Sequence, residues 1–232
     1  MFIPLYDSNR LRHIRHQYVT FGIIGLNILV WLVTSVAGSD LAQAAVLGLG
    51  YIPAVAHDFA VLPPELELVP EPLTYLTYGF LHVDLLHLGG NMLFLWVFGD
   101  NVEDALGHVR YLVFYFACTI AAAAFHGMVT PDSQSPLIGA SGAVAGVIAA
   151  YLILHPRVKL WVLAFARIPL RVPAFVALAL WIGTQFVMFV IDRENQISWS
   201  AHVGGILAGA VLVVLLRRTG VLLFDRHIVP PA

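Results

Sequence analysis

Six apolar runs with almost no charge inside them decide what this chain can fold into. They extend from about Val19 to Val36, Leu85 to Gly99, Tyr111 to Val129, Leu137 to Leu154, Val172 to Ile191 and Trp199 to Leu216. A helix needs about 20 predominantly apolar residues to cross a hydrocarbon core some 30 Å thick. Only 11% of the 232 residues are charged, against about 25% in soluble domains. The expected class is therefore an all-α polytopic membrane protein, a six-transmembrane-helix bundle. It reads as a single domain over 1–232, with short tails of about 1–18 and 217–232. The second run is the least apolar, because it holds His87, Gly89, Gly90 and Asn91. Polar groups in hydrocarbon are costly and usually functional.

The first run follows Arg10, Arg12 and Arg15 and so resembles a signal peptide. Its length is that of a spanning helix, so an uncleaved anchor is expected, although Val36-Ala37-Gly38 would pass as a weak cleavage site. Eleven of the twelve basic residues fall before the first run, between the second and third, between the fourth and fifth, or after the sixth; Arg193 alone lies on the other side. The positive-inside rule then puts both termini in the cytoplasm. Short ends without a targeting presequence suit a prokaryotic inner membrane. The connection from Gly38 to about Leu81 is a long outer first loop, without Lys or Arg but with Pro53, Pro63, Pro64, Pro70 and Pro72. Its apolar residues, among them Phe59, Val61 and Leu68, suit the membrane interface better than bulk water. A net charge of −2 argues against nucleic acid, and Cys118, the only cysteine, excludes an intrachain disulfide or a cysteine metal cluster.

In this topology the second, fourth and sixth helices all enter from outside. Ser141 is expected about one turn into the fourth, His202 about one turn into the sixth, and His87 and Asn91 one to two turns into the second. His87 and Asn91 are four residues apart and share a face. Gly142 and Gly146, like Gly205 and Gly209, have the small-xxx-small spacing that lets helix backbones approach. Packing through those faces brings Ser141 within reach of His202, and a serine beside a histidine base is an activated nucleophile. Amides at a helix N-terminus favour a developing oxyanion. Alone, Ser141 among glycines and alanines reads as packing; with His202 and Asn91 at matching depth, chemistry is the better account.

Gly139-Ala140-Ser141-Gly142, Ala201-His202 and the set His82, His87 and Asn91 resemble the signature of the rhomboid intramembrane serine proteases. Each motif is weak alone; three in order on the right helices are specific. The resemblance implies a rhomboid-like bundle and a Ser141–His202 catalytic dyad without a carboxylate. It implies an oxyanion hole from the Ser141 N–H, His87 and Asn91. His82 takes a supporting role, and Gly139 keeps the segment before the nucleophile compact. No metal or cofactor is required. The implied partners are transmembrane protein substrates within the lipid bilayer, entering between the second and fifth helices; the oligomeric state is left open. Glu103 and Gly107 resemble structural positions of the family. Many members carry an aromatic residue one turn after the serine, against the histidine ring; here that residue is Ala145, which leaves open whether Trp181, Trp199 or another residue orients His202.

Other readings fare worse. The H-E-x-x-H pattern of metalloproteases is absent, and a zinc cluster of His82, His87 and His202 would lack an acidic base on the same face. Asp100 has no second intramembrane aspartate to pair with. A catalytically silent relative that binds transmembrane segments need not keep both Ser141 and His202. A transporter would be expected to show repeated halves. His57, His108, His126 and His155 read as interfacial, and Asp100, Glu103 and Asp104 as a solvated cytoplasmic edge.

Overall fold

The computed structural model describes residues 2–36, 38–164, 167–192 and 197–225. Ala37, Arg193 and Arg226, on which parts of the cleavage and charge readings rest, lie outside the described residues, as does the tail beyond 225. The chain forms β1 (Phe2–Asp7), α1 (Tyr18–Val36), α2 (Ser39–Leu49), α3 (Pro53–Ala56), α4 (Thr74–Thr77), α5 (Leu85–Leu106), α6 (His108–Val129), α7 (Ser141–Leu154), β2 (Lys159–Ala164), β3 (Ile168–Pro173), α8 (Ala174–Ile191) and α9 (Trp199–Leu216). The six expected helices are α1, α5, α6, α7, α8 and α9. The outer loop folds into α2–α4 with three short 3-10 turns.

Four of these helices, α1, α6, α8 and α9, are long and apolar enough to cross a membrane, and α5 joins them if counted with the segment Pro64–Phe80, which meets it at 84°. The chain is a multi-pass membrane protein whose centre is α7. Every residue of α7 from Gly142 to Tyr151 is buried, as expected of a helix apolar all round. At about 1.5 Å per residue, 14 residues fall short of a full span. The expected start at Leu137 is wrong for a local reason. Leu137 pairs with Tyr51 as an isolated β-bridge, and Gly139 adopts φ +113, so the chain turns helical only after Gly139, with Ala140 as the N-cap and Ser141 as the first residue of α7.

The glycine spacing acts as expected. A Cβ on Gly205 would fall 2.8 Å from the carbonyl carbon of Gly142, and one on Gly209 2.7 Å from that of Gly146. The backbones of α7 and α9 therefore touch directly at two points about one turn apart, which only glycine permits.

Two features depart from the expected bundle built of helices alone with a solvated acidic edge. Residues 2–7 form an edge strand of a three-stranded antiparallel sheet, in the order β1-β2-β3. Its inner side packs on α5 and α7: the Phe2 ring lies 6.0 Å from that of Phe94, and the Tyr151 hydroxyl donates to Asp7 at 2.6 Å. The second departure is the acidic edge at the end of α5. Glu103 is fully buried and accepts from Val19 N–H, Thr20 N–H and the Thr20 hydroxyl. Asp104 accepts from the amides of Arg12, His13 and Ile14. These carboxylates are not solvated; they satisfy the orphan N–H groups at the start of α1 and the segment before it. Arg12, Arg110, Arg157, Arg217 and Arg218 gather at this end of the bundle, away from Ser141, through bonds of their backbone or side chains to Asp104, Leu216, Asp225 and Val221.

Candidate active site

Ser141 is the first residue of α7 rather than one turn in. Its amide and the next two have no preceding turn to bond to, so they remain available to an anion. A cavity of about 760 Å³ opens above it, lined by His87, His126, Leu137, Ile138, Ser141, Ser198 and His202 among others. The shortness of α7 makes this room: the turn missing from its outer end is replaced by the loop that walls the cavity.

His202 enters from α9, three residues after its start. Its Nε2 lies 2.9 Å from Ser141 Oγ, and its Nδ1 lies 2.8 Å from Oε1 of Gln185 on α8. The proton positions follow from the chain of partners. Gln185 Nε2 donates to the Trp181 carbonyl at 3.0 Å, which turns Oε1 towards the imidazole. An amide oxygen only accepts, so Nδ1 carries the proton. Nε2 is then bare and accepts from the Ser141 hydroxyl. A hydroxyl bonded to an unprotonated imidazole nitrogen is the arrangement of an activated nucleophile.

The position that Ala145 leaves small is filled from α8. Ala145 is fully buried, and Trp181 packs on the apolar cluster it forms with Ala149 and Ile206. The Trp181 ring lies over His202 at a centroid distance of 6.3 Å and 29°, and the Trp199 ring stands edge-on at 5.8 Å. Both expected aromatics therefore flank His202. Gln185 was missed, although an amide inside an otherwise apolar span is a readable signal.

Asp84 caps α5 by accepting from the His87 amide at 2.7 Å, which fixes where His87 emerges. The imidazole of His87 lies over Gly139, where a Cβ would sit 2.8 Å from Nε2. Gly139 is required twice, by this contact and by its positive φ. The Asn91 side chain is buried one turn further along α5, and its Nδ2 has no protein hydrogen-bond partner. His82 lies behind, buried and edge-on to His87 at 5.0 Å.

Of the histidines expected at interfaces, His126 is buried and bonds Ser200 Oγ through Nδ1 at 2.7 Å, His108 pairs with Glu103, and His155 pairs with Asp225. Among the described residues no cluster of three or more His, Cys, Asp or Glu side chains is placed to hold a metal.

The family model described as the rhomboid domain matches residues 70–219, well over half of the chain. Among curated proteins, the chain is 26% identical over 161 residues to RHOMBOID-like protein 12, mitochondrial, of Arabidopsis thaliana, covering 62% of this chain and 46% of that protein. It is 28% identical over 149 residues to Rhomboid protein 1, mitochondrial, of Saccharomyces cerevisiae (62% and 42%). It is 30% identical over 140 residues to Rhomboid protease GluP of Bacillus subtilis (58% and 24%). The matches thus span about half or less of each relative's length.

Proposed function

The chain belongs to the rhomboid family, and from that premise we propose that it is an intramembrane serine endopeptidase that cuts transmembrane proteins. Membership alone does not carry the activity. The carrying observation is the 2.9 Å contact between Ser141 Oγ and a bare His202 Nε2 at the N-terminus of α7, beneath an open cavity.

In this reading Ser141 Oγ attacks the scissile carbonyl carbon and its proton passes to His202 Nε2. The oxyanion is held by the Ser141 N–H with His87 and Asn91; the unpaired Asn91 Nδ2 supports that role. Collapse of the tetrahedral species breaks the C–N bond, and the leaving amine takes the proton from Nε2. Water, deprotonated by Nε2, then hydrolyses the acyl ester, and the proton returns to Ser141 Oγ. No metal or cofactor enters. Water reaches the dyad through the cavity, and the substrate segment enters between α5 and α8. A regular helix hides its carbonyls, so segments broken by Gly or Pro are cut in preference to a straight poly-Leu span.

The arginines gathered at the end opposite Ser141 support an orientation with both ends of the chain in the cytoplasm or its organellar equivalent. Relatives named as mitochondrial do not fit the expectation of a prokaryotic inner membrane, so the orientation is proposed without naming the membrane.

The test is cleavage of a single-span substrate with a Gly-Pro break in liposomes, wild type against Ser141→Ala, with fluorophosphonate labelling in parallel. Both signals should vanish in the variant and persist in chelator. Cleavage by Ser141→Ala would end the proposal.

A further inference from the structure

The rhomboid resemblance implies a dyad without a carboxylate behind the histidine, yet here His202 Nδ1 has a hydrogen-bond partner. We propose that Gln185 is a positioning residue for His202, holding the imidazole in its Nδ1–H tautomer in place of a carboxylate. The inference rests on the peptidase reading above and extends it to a residue outside the dyad.

The geometry constrains Gln185 at both ends of its amide. Nε2 is tied to the Trp181 carbonyl at 3.0 Å and Oε1 faces His202 Nδ1 at 2.8 Å, so the amide cannot turn over without setting two donors or two acceptors against each other. The side chain is only 4% exposed. In the outer half of α8 it is also the one buried residue, since the others on that helix are Ala174, Ala177 and Leu178 near its start. The remainder of the outer half presents residues such as Phe186, Val187 and Val190 to the surroundings. A buried amide is costly in such a segment unless it is satisfied. The bond that satisfies it also orients the base, so docking of α8 and orientation of His202 are one event.

A neutral acceptor suits the setting. A buried carboxylate facing a neutral imidazole would be an uncompensated charge, whereas an amide oxygen fixes the tautomer and still accepts from Nδ1–H when Nε2 gains the serine proton. In Ser-His-Asp enzymes a wrong tautomer costs about 10⁴ in rate. Loss of a neutral orienter leaves the buried Nδ1–H without its acceptor, and stranding that donor should cost about ten- to hundredfold.

The experiment uses the full chain in detergent or liposomes and compares Gln185→Leu, Gln185→Glu and Ser141→Ala with wild type. Gln185→Leu keeps the bulk that docks α8 but has no acceptor; Gln185→Glu in its neutral form keeps both an acceptor oxygen for His202 Nδ1–H and a donor for the Trp181 carbonyl. The first readout is the rate of labelling by a small fluorophosphonate, which does not depend on a transmembrane substrate entering past α8. The second is ¹⁵N NMR of histidine-labelled protein, with the His202 signals assigned by their loss in His202→Ala. Expected are labelling slowed about ten- to hundredfold in Gln185→Leu, with His202 redistributed between tautomers, and substantial recovery of both in Gln185→Glu. Labelling within twofold of wild type and an unchanged Nδ1–H signature in Gln185→Leu would overturn the role of Gln185 while leaving the peptidase reading intact. Equal slowing in both variants with an unchanged tautomer would reduce Gln185 to packing and overturn it as well. Persistent labelling in Ser141→Ala would instead remove the reading on which the inference rests.

Discussion

Replacing Gly205 by alanine tests how the two halves of the site are held together. Ser141 and His202 sit on different helices, and those helices touch through backbone atoms. The added Cβ would lie 2.8 Å from the Gly142 carbonyl carbon, and closer still to its oxygen. Non-bonded carbons rest at about 3.5–4.0 Å. The obstacle is backbone in the middle of the bundle, so no side chain can swing aside. The outer parts of α7 and α9 must separate by about 1 Å. The Ser141–His202 contact of 2.9 Å would then open to about 3.9 Å, outside hydrogen-bonding range. A misplacement of about 1 Å costs about 10²-fold in rate, and overpacking costs about 1–3 kcal/mol. The assay is fluorophosphonate labelling of Ser141 beside thermal unfolding in detergent. Gly183→Ala serves as control: a Cβ there meets nothing within 4 Å, so labelling should be unchanged and α8 slightly more stable. A folded Gly205→Ala protein that labels within threefold of wild type would refute the claim that this contact sets the dyad's geometry.

Glu103→Ala removes the acceptor for Val19, Thr20 and His108. Stranding the two buried Thr20 donors, with the partly buried Val19 amide beside them, should cost about 3–5 kcal/mol, read as a lowered Tm; an unchanged Tm would show that the start of α1 is held by other contacts. Asp7, in β1, has its pKa pushed up to about 7 by burial, which the Tyr151 hydroxyl opposes and the Asp100 charge reinforces. The folded chain therefore holds this proton more tightly than the unfolded one. Its contribution to stability is full below about pH 4 and is lost as pH rises to about 7, on the order of 4 kcal/mol in all. Asp7→Asn should flatten that slope in unfolding measured from pH 4 to 8, and identical slopes would exclude Asp7 as the titrating group.

Much of the scaffold is written in local pattern. Run length and apolarity placed the helices, and α9 has the bounds that its hydropathy predicts. The spacing of Gly142, Gly146, Gly205 and Gly209 marked the faces through which α7 and α9 meet, because small residues at intervals of four line one side of a helix. Local pattern misled where a partner lies far along the chain. Glu103 and Asp104 look like a solvated helix end until the segment from Arg12 to Thr20, more than eighty residues earlier, folds over them. The pairing of β1 with β2 joins strands more than 150 residues apart, so neither apolar length nor charge announced it.

By itself, then, the sequence determined that this chain enters a bilayer and which helices bring the polar side chains to its outer end, since burial in lipid depends on composition summed along each segment. Tertiary structure alone decided that α7 begins at Ser141, that Trp181 fills the space beside Ala145, and that Gln185 meets His202 Nδ1. Those outcomes depend on how each helix is rotated about its axis and how closely it approaches its neighbours, and hydropathy does not record rotation.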